Sequence, residues 1–429
     1  MQASTTSAVD SALDTLASTI TGELVRPGDE AYDEARSVWN GMIDVRPVAI
    51  AHCASTDDVR DAVRVARETG VPLAVRGGGH NVAGFGTIDG GLVVDLSPMN
   101  AVTVDAATLS GGLGWVRRKW GLSCDNLVGA ELVTASGEVV RVDEKSDPEL
   151  LWGLRGGGGN FGVATELVFQ AFPLGPEVAF LFALYPLDEA RHVLAEHERL
   201  VNAIGDEVST IAVLGHVPPL DDFPAGIHLE PFAGVLGMYA GAADDGERAL
   251  QPFRELGEPL VDLSDRMQYV DAQQIYDPDY PKGHRYYWKS TNLPSLPADV
   301  VDVLAEHMHR APSKHSTIDI WLNGGAIGRV GEDATAFSGR GGRYVVNPEA
   351  NWEHAADDDA NVAWARDVLA AVEAHATDGA YLNFPGFLEE GQSLVRASMG
   401  ANYERLASLK QRLDPENLFR RNANIVPAS

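Results

Sequence analysis

Apolar and polar positions alternate along this chain at two periods, and each change of period marks an element. "PVAIAH" (47–52) reads as a strand. "STDDVRDAVRVARETG" (55–70) opens on a Ser-x-x-Asp capping pattern, sets Val59, Val63 and Val65/Ala66 at helical spacing, and stops at Gly70. "PLAVR" is a second strand and "GLVVDLS" (91–97) a third. The opening therefore predicts strand–helix–strand, with a glycine cluster at a strand's end, where α/β folds keep their ligands.

Further on, "GWVRRKWG" predicts one or two helical turns. "NLVGAELVTASGEVVRVD" predicts two strands about a Ser-Gly turn, and "DPELLWGLRG" a short helix with Asp147 near its N-cap. "VATELVFQAFPLG" is a strand closed by Pro173 and Gly175, which sets the first domain boundary. From 176 to 375, apolar strands ("AFLFALYPL", "STIDIWLNGGAIGRV", "GRYVVNPEANW") alternate with amphipathic helices ("LDEARHVLAEHERLVNAI", "ADDGERALQPFREL", "ADVVDVLAEHMHRA", "DANVAWARDVLAAVEAHA"). That pattern predicts an α+β module, a sheet covered on one face by helices. "NYERLASLKQRLDPENLF" predicts a last helix stopped by Pro415.

Composition narrows the function classes. Acidic residues number 62 against 33 basic ones, a net charge of −29, which repels phosphate backbones and anionic lipid and so excludes nucleic-acid and membrane partners. The acid is spread over the surface, as salt adaptation or an acidic mesophilic enzyme would have it. Two cysteines, Cys53 and Cys124, make no disulfide framework. No export signal or bilayer-length apolar run is visible, so the expected compartment is cytoplasmic. The scattered histidines make no metal site.

Glycine is costly to order, and a cluster is justified where backbone turns sharply or touches a ligand. There are two clusters. "RGGGHNVAGFG" surrounds His80, and "LRGGGGNFGVATEL" (154–167) contains a formal G-x-G-x-x-G. The second lacks the strand before and helix after that a dinucleotide fingerprint needs. Its amides can still form an anion-binding concavity. Two such turns point to an extended phosphate-bearing ligand held largely by backbone.

Six stretches together resemble the berberine-bridge-enzyme-like FAD-linked oxidoreductases of the vanillyl-alcohol-oxidase type. They are "RGGGHNVAGFGTIDGGLVVDLSPM", "GWVRRKWGLSCDNLVGAELVTASGEVVRV", "DPELLWGLRGGGGNFGVATE", "RYYWKS", "YLNF" and "NYERLASLKQRLDPENLFRRNANI". They occur in the family's order over nearly the whole chain. The resemblance implies a two-domain α+β flavoprotein, with an FAD-binding domain over 1–175 to which 385–429 returns, and a substrate domain over 176–384 with an antiparallel sheet. It implies FAD bound by Arg76, Gly77, Gly78, Gly79, His80, Asn81, Gly84, Gly157, Gly158, Asn160, Gly162, Val163, Asn422 and Asn424. His80 would be joined to the flavin's C8-methyl; an imidazole is largely neutral and nucleophilic near pH 7. His80 serving only as a hydrogen-bonding loop residue is the plain alternative.

The implied reaction is oxidation of an alcohol, sugar or secondary-metabolite-like molecule by hydride transfer to flavin N5, with oxygen or another acceptor reoxidising it. Tyr381 would be the base and Asn383 its orienting partner; packing between domains is the alternative for Tyr381. A phenol needs its pKa lowered to serve. Cys124 follows the "GGLGW" stretch, whereas the family's flavin-linked cysteine precedes it, so Cys124 reads as a buried small hydrophobe. "MNAVTVDAATLSGGLGW" (99–115) departs from the family, which has several dozen further residues between "VDAAT" and the glycines, including a loop along the flavin. An internal deletion near 105–109 is the reading. Each lost charge-assisted hydrogen bond to FAD would cost about 1.5–3 kcal/mol. A flavin-free or vestigial protein is therefore the alternative function.

Overall fold

A computed structural model describes residues 2–100, 109–377 and 379–429, with side chains from residue 7 onward. The apparent deletion at 105–109 falls outside these residues, apart from Leu109.

Three sheets organise the chain. In the first, β1 (Glu23–Val25), β2 (Ala49–His52), β3 (Leu73–Arg76) and β4 (Leu92–Asp95) lie in the order β1-β2-β4-β3, with β2 and β3 parallel to β4. The helix Thr56–Thr69 makes the crossover. Ser55 caps it, its hydroxyl accepting from the Asp58 amide, and Gly70 ends it at φ 71°. This is the predicted opening, and it delivers the first glycine cluster at the carboxyl end of β3.

In the second sheet, β5 (Leu127–Val133) lies between β6 (Val139–Asp143) and β7 (Val163–Phe169), all antiparallel. Gly137, at φ 83°, makes the predicted Ser-Gly turn. Asp147 caps the helix Pro148–Leu154 by accepting from the Leu150 amide.

The third sheet holds β8 (Glu177–Pro186), β9 (Val208–His216), β10 (Pro231–Tyr239), β11 (Val261–Asp262), β12 (Asp265–Gln268), β13 (Arg285–Trp288), β14 (Thr291–Leu293), β15 (Thr317–Leu322) and β16 (Tyr344–Trp352). Its order is β11-β8-β10-β9-β15-β16-β13, with β12 on β8 and β14 on β16, antiparallel throughout. One face buries Leu214, Val235, Ile318, Ile320 and Val346 against the helices Ala190–Val201, Ala298–His309 and Asp358–Val372. By register, the opposite face carries Trp288, Glu349, Asp319 and Val213.

One prediction needs correction, and three elements lie where the pattern assigns none. The N-terminal residues Gln2–Thr19 are helical, although no amphipathic pattern announced it. β9 and β10 are long strands that the pattern does not assign; both lie mid-sheet, buried on both faces, so neither alternates. The strand predicted over "STIDIWLNGGAIGRV" ends at Leu322. Gly324 and Gly325 then turn the backbone at φ 92° and 57°, and Ala326–Arg329 is helical. A Cβ on Gly325 would lie 2.3 Å from the Arg118 carbonyl oxygen, so only glycine fits at that turn.

The C-terminal helices pack back on the early chain. Val395, Met399, Tyr403 and Leu406 share one core cluster with Leu150, Leu151, Leu154 and Phe161.

Candidate active site

Both glycine turns and the C-terminal segment border one cavity of about 420 Å³. The first turn leaves β3 at Arg76. Its guanidinium Nη2 donates to Asp95 Oδ2 at 2.6 Å, and His52 Nδ1 lies 2.9 Å from the same oxygen. Burial alone would raise the Asp95 pKa, but hydrogen bonds from His52 and Arg76 outweigh it and hold the carboxyl below its usual range. Past this anchor, the amides of Gly77, Gly78, Gly79, His80 and Asn81 have no acceptor among the described residues. The imidazole of His80 is exposed and opens on this cavity and on a neighbouring one of about 460 Å³. Gly78 is needed there, because a Cβ would lie 2.7 Å from the His80 Cδ2. Asn81 closes the turn, its side chain accepting from the Phe85 amide and its carbonyl from that of Gly84.

The second turn is built differently. The amides of Gly156 and Gly158 both donate to the Leu109 carbonyl, at 3.0 and 2.9 Å, and that of Gly157 to the Gly153 carbonyl. The first three amides of the expected concavity are therefore used inside the protein. Gly157, Gly158, Gly159, Asn160, Gly162 and Val163 line the cavity, and the amides of Gly159, Asn160, Phe161 and Gly162 have no acceptor among the described residues.

A buried network ties this turn to the C-terminus. Lys410, fully buried, donates from Nζ to Asp414 Oδ2 (2.6 Å) and to the carbonyls of Asn160 (2.7 Å) and Phe419 (2.8 Å). Asn160 in turn donates to the Gly157 and Ala423 carbonyls and accepts from the Ile425 amide. This brings Asn422 to the cavity wall, where its Nδ2 donates to the Gly159 and Phe419 carbonyls and its buried Oδ1 has no partner among the described residues. The buried Oδ1 of Asn424 is likewise unpartnered there, but Asn424 does not line the cavity.

Tyr381 is buried behind the wall, not on it. Its hydroxyl accepts from the Gly112 amide at 2.9 Å and from Asn383 Nδ2 at 2.7 Å. Burial pushes its pKa up to about 12, against the pull of those two donors, so the lowering that a base would need is not present. Asn383 does line the cavity, with Leu382 and Phe384. Gly84 does not; it turns the chain at φ 71° against Ile43. Cys124 is buried, its thiol pushed up by burial, and lies off the cavity; Cys53 is pushed up to about 12 in the same way.

The sequence reading missed two contributors. Arg421 lines the cavity, donates only to the Thr87 and Gly84 carbonyls, lies over the Phe85 ring, and has no carboxylate partner among the described residues. A rare cation beside "NANI" in so acidic a chain was the available clue. Trp39 is the second; together with Trp288 of the "RYYWKS" stretch, which the sequence does offer as a pocket wall, it bounds the same space, and Tyr286 stacks on Trp39 at 3.8 Å.

These residues suit FAD. Unengaged amides and an unpaired guanidinium are what a diphosphate takes up. An orphaned Asn422 oxygen and aromatic walls suit a heteroaromatic ring.

Known proteins agree. The FAD binding domain family matches residues 47–109, and the "Berberine and berberine like" family matches 380–426. (R)-6-hydroxynicotine oxidase of Paenarthrobacter nicotinovorans is 28% identical over 460 aligned residues, covering 95% of this chain and 97% of its own. That aligned length exceeds the 429 residues of this chain, so the relative has positions that this chain lacks. The crystal structure of 6-hydroxy-D-nicotine oxidase from Arthrobacter nicotinovorans superposes with a TM-score of 0.82 at 27% identity, covering 96% of this chain and 99% of that one. BBE-like 1 of Physcomitrella patens has the same fold, with a TM-score of 0.84 at 19% identity over 97% and 99% of the two chains. Sequence motifs, fold and cavity converge on an FAD-linked oxidoreductase that is similar over nearly its whole length to the berberine-bridge-enzyme-like proteins.

Proposed function

We propose that this FAD-dependent oxidoreductase holds its cofactor's diphosphate on the first glycine turn and is joined to the flavin through His80. The observation that carries this is the run of acceptor-less amides from Gly77 to Asn81, ending beside an exposed imidazole that opens on the cavity. Arg421 supplies the fixed positive charge opposite, and Asn422 an acceptor. When bound, FAD supplies the two-electron acceptor, taking hydride at N5.

The protein's own residues bind and orient. Trp39 and Trp288 exclude water from the flavin's surroundings, and Asn383 presents a polar group to the substrate's hydroxyl. Tyr381 fixes Asn383 and would take up the hydroxyl proton only after exchanging one of its two donors. The substrate is a small alcohol, sugar or secondary-metabolite-like molecule, and oxygen or another acceptor closes the cycle. Related proteins named as oxidases of 6-hydroxynicotine and xylooligosaccharides support that breadth.

The division into an FAD-binding part, 1–175 with 385–429, and a substrate part, 176–384, is supported by the core shared between the helix Pro148–Leu154 and the C-terminal helices. Among the described residues no helix is long and apolar enough to cross a membrane, in keeping with a cytoplasmic enzyme. The acidic surface reads as salt adaptation.

The test is direct. Purified protein is supplied with FAD, dialysed, and mixed without air with a panel of alcohols, sugars and phenols while flavin absorbance is followed. Retained yellow colour that a panel member bleaches is expected. A protein that takes up no FAD would overturn the reading and leave a flavin-free binding protein.

A further inference from the structure

A turn that keeps its amides open for a ligand cannot be held in place by them; its carbonyls must do the holding. In the first glycine turn they do. The Arg76 carbonyl accepts from the Leu96 amide at 2.8 Å, the Gly79 carbonyl from the Trp39 amide at 3.2 Å, and the Val82 carbonyl from Asn40 Nδ2 at 2.8 Å. Two of these three bonds come from one dipeptide, Trp39–Asn40, in the loop between the helix Tyr32–Arg36 and β2.

The same dipeptide is bound to the large sheet, at its edge strand β13. Asn40 is fully buried, and every hydrogen-bonding position of its side chain is filled. Its Nδ2 donates to the Val82 and Tyr286 carbonyls, both at 2.8 Å, and its Oδ1 accepts from the amides of Met42 (3.0 Å) and Tyr286 (3.1 Å). Around it, the Trp39 indole donates to the Tyr280 carbonyl at 3.0 Å. The Gly283 amide donates to the Trp39 carbonyl at 2.9 Å, and the Gly41 amide to the His284 carbonyl at 2.7 Å. A Cβ on Gly41 would lie 2.2 Å from the Gly283 carbonyl oxygen, so the two segments meet backbone to backbone. The centroid of the Trp39 ring is 6.3 Å from that of His80.

Both ends of this joint stop at the flavin cavity. Val82 lines it directly after Asn81, and Tyr286 stands two residues before Trp288, which walls it from the sheet. A buried side-chain amide is tolerated only where its hydrogen bonds are met, and Asn40 meets them by tying together residues 42 and 246 positions away in the chain. We propose that Asn40 is a positioning residue for the flavin: it fixes the gap between the turn that carries His80 and the sheet edge that carries Trp288. The inference rests on the flavin reading above. Attachment joins a ring nitrogen of His80 to the C8-methyl carbon. The nitrogen and the methyl each give up one hydrogen, and the two protons and two electrons pass to dioxygen, giving hydrogen peroxide. That bond depends on close approach, so a small misplacement slows it steeply, while uptake by the open amides and Arg421 is nearly unaffected.

The test uses protein produced under riboflavin limitation and supplied with FAD in air. Uptake is read by quenching of flavin fluorescence, and attachment by the mass of the His80 peptide over time. In Asn40→Ala, attachment should slow about tenfold or more while the FAD dissociation constant stays within about threefold of wild type. Asn40→Asp keeps the acceptor for both amides, and so carries the test alone if Asn40→Ala does not fold. Its carboxylate cannot donate, but burial raises the pKa of such a group, and once protonated it returns one donor. Its attachment rate, as a ratio to wild type at each pH, should therefore climb as pH falls from about 8 to about 6, a trend that Asn40→Ala lacks. Attachment at the wild-type rate in Asn40→Ala, uptake that falls as far as attachment does, or a ratio for Asn40→Asp that is flat with pH would each overturn the proposal. A wild-type protein that takes up no FAD, or that leaves His80 unmodified, would instead sink the flavin reading, and this inference with it.

Discussion

The two glycine turns look alike in the sequence and are built for different work. The first, Gly77–Asn81, spends its glycines on keeping amides open and an imidazole accessible. The second turns the amides of Gly156–Gly158 inward onto Leu109 and Gly153 and leaves only those of Gly159–Gly162 without an acceptor among the described residues. Each rests on a buried ion pair: Arg76–Asp95 under the first, Lys410–Asp414 under the second. Glycine count alone therefore does not find a phosphate site. Where the amide protons go decides it.

Breaking the first turn should give the largest effect. In His80→Ala, flavin carried through acid precipitation should fall from nearly all of the bound cofactor to none, read as colour moving from pellet to supernatant. FAD uptake itself should continue, because the amides and Arg421 are untouched.

Next come the two supports. Asp95→Asn leaves the Arg76 guanidinium buried without its carboxylate, and Asp414→Asn does the same to Lys410. Each should cost about 3–5 kcal/mol in denaturant titration. Asp95→Asn should also release FAD. Asp414→Asn should loosen the C-terminal segment and weaken FAD less, since the first turn and Arg421 are untouched.

Acid should separate the cofactor side from the sheet. Burial pushes His197 down to about 3 and His216 to about 4. Below about 6.5 the unfolded chain protonates both histidines while the folded protein does not, so stability falls as pH falls, by up to about 1.4 kcal/mol per unit for each. The Asp95 carboxyl is held low, so its contribution is present above the usual aspartate pKa of about 3.9 and is lost only below it. Between pH 7 and 5 the melting temperature should drop while retained flavin stays constant.

The smallest effect is in the glycines themselves. Gly158→Ala, at φ 68°, should cost about 1 kcal/mol of stability. Gly78→Ala should cost less, yet slow flavin attachment, because its Cβ displaces the His80 ring.

Much of the fold is legible in the order of residues. Capping at Ser55 and Asp147, the crossover into the first glycines, and the antiparallel sheet with its helices all follow from local pattern. The central strands β9 and β10 are hidden because burial on both faces erases alternation. The helix at Gln2–Thr19 has no strong apolar stripe to announce it. Which turn keeps its amides free is not legible either, because the acceptor for two amides of the second turn, Leu109, lies some fifty residues away in the sequence. Tyr381 is placed by motif, but only packing reveals that it stands behind Asn383 with its hydroxyl occupied and its pKa pushed up. Arg421 needs the fold to bring the C-terminus back over the first turn.

The central claim is that the first turn seats the cofactor and His80 bonds to it. FAD-loaded protein digested with a protease and weighed peptide by peptide tests this most directly. The account predicts that the peptide containing His80 carries the added mass of the flavin, with the peptides of Cys53 and Cys124 unmodified. An unmodified His80 peptide from protein that holds its flavin through denaturation would contradict it.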